Sequence, residues 1–188
     1  VHNLTGTMPP LAELYAGHAR QLHHYLARRV GTQIADDLVA EAFLVFWEKR
    51  GDYDPSRASA KSWLYGIATN LLRNHVRTEE RRLRAWTKHG ARSVPLDDVG
   101  SRAVETVDAQ VLADQLADEV AALRPEERDV LLLTAWADLS PTEIAEATGV
   151  AVATVRVRLF RARSRLRESA RSYRSEAHTS HQEGDGNA

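Results

Sequence analysis

The chain contains no cysteine, which excludes disulfides, thiolate metal sites and a cysteine nucleophile. It has no apolar run near the roughly 18 residues that a membrane helix needs. Residues 1–10 lack the basic start and apolar core of a signal peptide, so a cytoplasmic protein is expected. No Gly-rich phosphate loop, Ser/His/Asp order or pair of catalytic carboxylates stands out, and the expectation is a non-enzyme that needs no cofactor. His18, His23 and His24 come nearest to a metal set. Their spacing does not place a pair at i,i+4 on one helix face, so no metal is expected. The net charge of −1 over 188 residues favours no class of partner; only the distribution of charge is informative.

What is present is helical periodicity. Leu11, Leu14, Tyr15, His18, Leu22, Tyr25, Leu26 and Arg29 follow the three-and-four spacing of one helical face. A second helix is expected from about Ile34 to Arg50, with Ile34, Leu38, Ala42, Val45 and Phe46 inward and Asp36 and Asp37 in its first turn. Residues 51–56 read as a loop. A long third helix runs from about Ala58 past Arg77, with Trp63, Leu64, Ile67 and Leu71 on one face. After a stretch with little apolar order, a helix through Val111, Leu112, Leu116, Val120 and Leu123 opens a second set. Pro125 suits the first position of the next helix. Ser140-Pro141-Thr142-Glu143 reads as a capping box before a short helix that ends ahead of Gly149. A last helix is expected from about Val152 to Ser169, with Val155, Leu159, Ala162 and Leu166 inward.

The fold class is therefore all-α, with two small helical domains joined by a flexible linker. The expected limits are a disordered start at 1–10, a first domain at 11–90, a linker at 91–107, a second domain at 108–172 and a disordered tail at 173–188. Charge follows this division. Residues 71–92 carry seven cations against Glu79 and Glu80, whereas residues 93–120 carry seven carboxylates against Arg102. Residues 151–174 carry eight arginines against Glu168.

That last segment gives the most specific functional signal. Helix, glycine turn and arginine-rich helix follow in helix-turn-helix order. Arginines opposite Val155, Leu159, Ala162 and Leu166 suit a helix that enters a major groove, pairs with guanine and clamps phosphates. A solvated basic face is the alternative. On the third helix, Trp63, Tyr65, Asn70, Asn74, His75 and Arg77 mix aromatics, amides and cations, a combination that suits unpaired bases. Trp63 fits an ordinary core position as well. On the second helix, Asp37, Glu41, Leu44 and Glu48 form an acidic–apolar stripe, fit either for solvent or for a basic partner helix.

Taken in order, these segments resemble the sigma-70 family, in its extracytoplasmic-function (ECF) branch. The resemblance rests on Asp37-Leu38-Val39-Ala40-Glu41-Ala42-Phe43-Leu44-Val45-Phe46-Trp47, on Ser62-Trp63-Leu64-Tyr65-Gly66-Ile67-Ala68-Thr69-Asn70 with His75 and Arg77, and on Leu123-Arg124-Pro125-Glu126-Glu127-Arg128-Asp129-Val130-Leu131. It continues through Leu139-Ser140-Pro141-Thr142-Glu143-Ile144-Ala145 and the segment from Thr154 to Arg163. It implies a factor that binds core RNA polymerase, directs it to promoters and helps melt the DNA. Asp37, Leu38, Glu41, Leu44, Trp47 and Glu48 would meet the clamp helices of the β′ subunit. Asp54, Lys61, Trp63, Asn70, Arg73, Asn74, His75 and Arg77 would meet the melted minus-ten element, with the loop at 52–59 holding a flipped base. Thr142, Thr154, Arg156, Val157, Arg158, Arg161 and Arg163 would meet the double-stranded minus-thirty-five element, and the second domain would dock on the β flap. Many members of the family are held by an anti-sigma protein, a partner the resemblance allows for here.

The sequence departs from the family pattern at five places. Ala40 stands where glutamine is usual, Val45 replaces a basic residue, Ala151 a serine cap, Val152 an acidic residue and Val157 a serine. Two other readings predict different behaviour. An autonomous dimeric regulator would bind duplex DNA without polymerase. A polymerase adaptor would bind polymerase without opening promoters, a reading the arginines of the last helix oppose.

Overall fold

The computed structural model describes residues 8–88 and 116–183, and side chains over 8–84 and 116–172. The linker expected at 91–107 lies outside the described residues. Those described form helices and contain no strand. The helices are α1 (Leu11–Val30), α2 (Thr32–Glu48), α3 (Ala60–Lys88), α4 (Pro125–Trp136), α5 (Pro141–Thr148) and α6 (Val152–Glu183), with a helical stretch over 116–122 and a 3-10 turn at Arg50–Asp52.

One glycine separates α1 from α2. Gly31 has φ 82°, a backbone that L side chains rarely adopt, and its N–H closes α1 on the Ala27 carbonyl at 2.9 Å. Helix α2 therefore starts at Thr32, ahead of the expected Ile34. Asp36 and Asp37 lie beyond its first turn, which carries no acid. At the start of α3, the Ser59 hydroxyl accepts from the Ser62 N–H at 3.0 Å and replaces a missing turn of backbone bonding. The end of α6 corrects the reading of the tail: the helix passes Ser169 and continues to Glu183. No glycine or proline interrupts residues 152–183, and the first breaker is Gly184.

Packing divides the described chain into two compact units, one of α1–α3 with residues 132–152, the other of residues 116–131 with the helix from Ala153. In the first unit the apolar stripes of three helices converge. Leu14, Leu22, Tyr25 and Leu26 meet Leu38, Val39, Ala42, Phe43 and Phe46 of α2 and Leu64, Tyr65, Ala68 and Leu72 of α3 in a buried core. Within this core the Tyr25 and Thr69 hydroxyls share a 3.1 Å hydrogen bond. Ile144 and Ala145 of α5 are buried in the same unit, where α3 packs on α5. In the second unit Leu123, Val130, Val155, Leu159 and Ala162 are buried. Arg128 closes the helical stretch over 116–122 by donating to the carbonyls of Val120, Ala121 and Leu123.

Candidate functional site

The residues singled out above fall into three sets. The first lies on the outer face of α2. Asp37, Glu41 and Glu48 are exposed, with Leu44 and Trp47 open to solvent at 56% and 43%. Large apolar side chains flanked by carboxylates make a stripe that can take an apolar and basic helix. Arg50 lies over the Trp47 ring at 4.3 Å and donates to the Trp47 carbonyl at 2.8 Å, fixing that indole in place. Leu38 is a correction: it is 5% exposed and belongs to the core. It lies on the inward stripe with Ala42 and Phe46.

The second surface is the loop at 52–59 with α3. In the loop, Asp54 accepts from the Ser56 hydroxyl at 2.6 Å and the Ser56 N–H at 2.9 Å. These two bonds hold its carboxyl below the usual carboxylate range, aided by Arg57. Trp63 is half-buried rather than free. Its ring packs against Phe46 at 4.7 Å and stacks on Tyr53 at 5.2 Å, so it ties the loop to α2 and α3. Burial raises the Tyr53 hydroxyl above its ordinary value, with Asp54 and Glu146 adding to the effect. Asn70, Asn74 and Arg77 are exposed and recur at three-and-four spacing, one stripe of α3. Arg73 and His75 are half-buried beside it. Lys61 is drawn the other way, donating to the Asp138 carbonyl at 3.4 Å.

The remaining residues lie on α5, in the first unit, and on α6, in the second. The capping box is present: the Ser140 hydroxyl accepts from the Glu143 N–H, and Glu143 Oε2 accepts from the Ser140 N–H at 2.8 Å. Gly149, with φ 69°, ends α5 in the left-handed region. On α6, Arg156, Val157, Arg161 and Arg163 are exposed and Thr154 and Arg158 half-buried, opposite buried Val155, Leu159 and Ala162. Arg165 is half exposed and also reaches an acid of its own unit. Its guanidinium lies 3.7 Å from the buried carboxylate of Glu127. A concavity of about 450 Å³ is lined by Arg124, Glu126, Thr154, Val157, Arg158 and Arg161, all of the second unit. Thr142 is exposed on α5.

Sequence reasoning missed Phe160, 68% exposed among these arginines. It also missed Gly66, a glycine inside a helix, which is the usual signal of a close backbone approach. No group of three or more His, Asp or Glu that could hold a metal occurs among the described residues.

Comparison with known proteins agrees with this geometry. Residues 14–82 match the model of sigma-70 region 2, and residues 113–166 match that of sigma-70 region 4. The chain is 33% identical over 171 residues to an ECF RNA polymerase sigma factor, SigE of Mycolicibacterium smegmatis, covering 90% of this chain and 65% of that protein. It therefore spans just under two thirds of that relative. It is 35% identical over 132 residues to the ECF sigma factor SigC of Mycobacterium tuberculosis, covering 70% of this chain and 68% of that one. The structure also resembles the sigma factor RpoE of Bartonella quintana, solved in complex with the anti-sigma factor NepR. The TM-score is 0.65 at 20% identity, over 85% of this chain and 96% of that one. At that identity the likeness speaks for the fold. The chain belongs to the sigma-70 family, in its ECF branch.

Proposed function

We propose that this protein is an initiation factor that binds bacterial core RNA polymerase, directs it to specific promoters and helps melt them, acting in the cytoplasm without catalysis of its own. The observation that carries this reading is the presence in one chain of three sets of exposed residues with complementary chemistry. The acidic–apolar face of α2, with Asp37, Glu41, Leu44, Trp47 and Glu48, suits the clamp helices of β′. The exposed stripe of Asn70, Asn74 and Arg77, with Arg73 and His75 beside it and Asp54 and Lys61 earlier in the chain, suits the unpaired minus-ten strand. The α6 face of Thr154, Arg156, Val157, Arg158, Arg161 and Arg163, with Thr142 nearby in sequence, suits the duplex minus-thirty-five element. Polymerase supplies the chemistry, and this chain supplies address and strand capture. By analogy with the RpoE complex, an anti-sigma protein is the expected negative partner.

The test is a titration of the full chain with core RNA polymerase. Leu44→Ala and Trp47→Ala should each weaken binding by about tenfold or more, the cost of truncating a central apolar anchor. Unchanged affinity in both variants would remove α2 as the docking face.

A further inference from the structure

One exposed stripe of α6 starts within the segment read above as facing duplex DNA and runs past it. Arg156, Phe160, Arg163, Arg167 and Arg171 are all exposed and follow one another at steps of three or four residues, a single helical face. Beyond Phe160 the stripe carries guanidinium groups alone. Arg163, Arg167 and Arg171 stand four residues apart, a spacing at which like charges repel. Arginines toward the end of α3 are balanced by acids one turn away: Arg82 meets Glu79 at 2.8 Å and Arg84 meets Glu80 at 3.8 Å. On α6, Arg165 lies off this stripe and meets Glu127. Among the described residues no carboxylate pairs with Arg163, Arg167 or Arg171. Glu168, the one acid between 151 and 174, stands off the stripe as well. The whole stripe belongs to the second unit, and its helix is unbroken to Glu183.

Length decides what the far end of the stripe can meet. From Arg156 to Arg171 the helix rises about 22 Å, whereas the major groove is about 12 Å wide. A helix with Arg156 in the groove has left the base edges by Arg167 and passes the flanking backbone, as the far end of other groove-reading helices does. We infer that Arg167 and Arg171, continuing from Arg163, form a phosphate rail: a sequence-independent grip on duplex DNA outside the bases that the start of α6 reads. The inference rests on the reading of α6 as the minus-thirty-five helix. Duplex DNA carries about one negative charge per 1.7 Å of its axis, so it can serve each step of the ladder and turn mutual repulsion into attraction. Guanidinium groups suit this task, since each can pair with a phosphate through two hydrogen bonds. An acidic protein is the rival occupant. Continuity with the reading face favours DNA.

The test is the salt dependence of DNA binding by the full chain, free and on bacterial core polymerase, with a labelled duplex of arbitrary sequence as the probe and polymerase alone as the baseline. Arg167→Ala with Arg171→Ala should lower the slope of log affinity against log salt by roughly 1.8, the loss expected for two phosphate contacts. Arg167→Lys with Arg171→Lys keeps the charges and should keep most of the slope. The alanine pair should melt at or above the parent's temperature, because alanine is the better helix former and the repulsion is gone. An unchanged slope in the alanine pair would overturn the rail. An unchanged slope with weakened transcription would give the stripe to an acidic protein instead. A lower melting temperature would assign the two arginines to the fold and overturn the rail as well. If Arg156→Ala with Arg161→Ala also leaves affinity and slope unchanged, the minus-thirty-five reading itself fails, and the rail falls with it.

Discussion

Trp63 stacks on Tyr53 with ring centroids 5.2 Å apart and planes 28° from parallel. Phe46 closes on the same indole at 4.7 Å. An aromatic that looked equally fit for holding a base or filling a core is therefore tied to two neighbours. The account predicts that Trp63→Ala costs about 3 kcal/mol in denaturant unfolding, within the range for removing a packed large aromatic. Trp63→Phe should cost much less. A Trp63→Ala protein as stable as the parent would show that the indole is not held by packing.

The capping box should make α5 sensitive to acid. Burial alone would raise the Glu143 carboxyl, but the backbone and hydroxyl hydrogen bonds from Ser140, with Lys61, outweigh it and leave the group below its ordinary 4.5. A depressed carboxylate stabilises the fold above its unfolded value and loses that contribution as pH falls through the folded one. Stability should therefore drop as pH falls below about 4.5, and Glu143→Gln should flatten that part of the curve. Ser140→Ala should cost about 1 kcal/mol at neutral pH. Thermal melts across pH 3 to 7 give both results.

Glu127 is a buried carboxylate whose salt bridge runs to Arg165, 3.7 Å away. Arg165→Ala strands a charge in the second unit and should cost about 2–3 kcal/mol, near the lower end for breaking buried pairs because Arg165 is half exposed. Glu127→Gln should cost less, since it removes the charge together with its need for a partner. The reverse order would mean that Glu127 is stabilised by something other than this pair. Because Arg165 serves the fold, Arg165→Ala should also leave the salt dependence of DNA binding nearly unchanged. Loss of a phosphate contact from Arg156, Arg161 or Arg163 should lower that slope by roughly 0.9.

The helical architecture was readable because local signals sit where the physics needs them. Ser140 and Glu143 cap reciprocally, Pro125 opens α4, and the stripe of Val155, Leu159 and Ala162 is buried as its spacing required. Features that depend on distant partners were not readable. Leu38 was the exception, since its spacing already placed it inward, where it is buried, although it also matches a docking motif. Periodicity allowed Trp63 two roles and could not choose between them. Gly66 could be flagged as unusual, but nothing in the sequence says that Ala147 is what it approaches. The tail was read as disordered from its polarity, whereas absence of a breaker before Gly184 was the better guide to the extent of α6.

Transcription in vitro shows whether this chain gives core polymerase a promoter address. Purified bacterial core RNA polymerase would be supplied with upstream DNA fragments, with and without the chain. The account predicts discrete transcripts only when the chain is present, lost on Arg156→Ala with Arg161→Ala. No transcripts, together with tight sequence-specific duplex binding by the chain alone, would contradict it and mark an autonomous regulator instead.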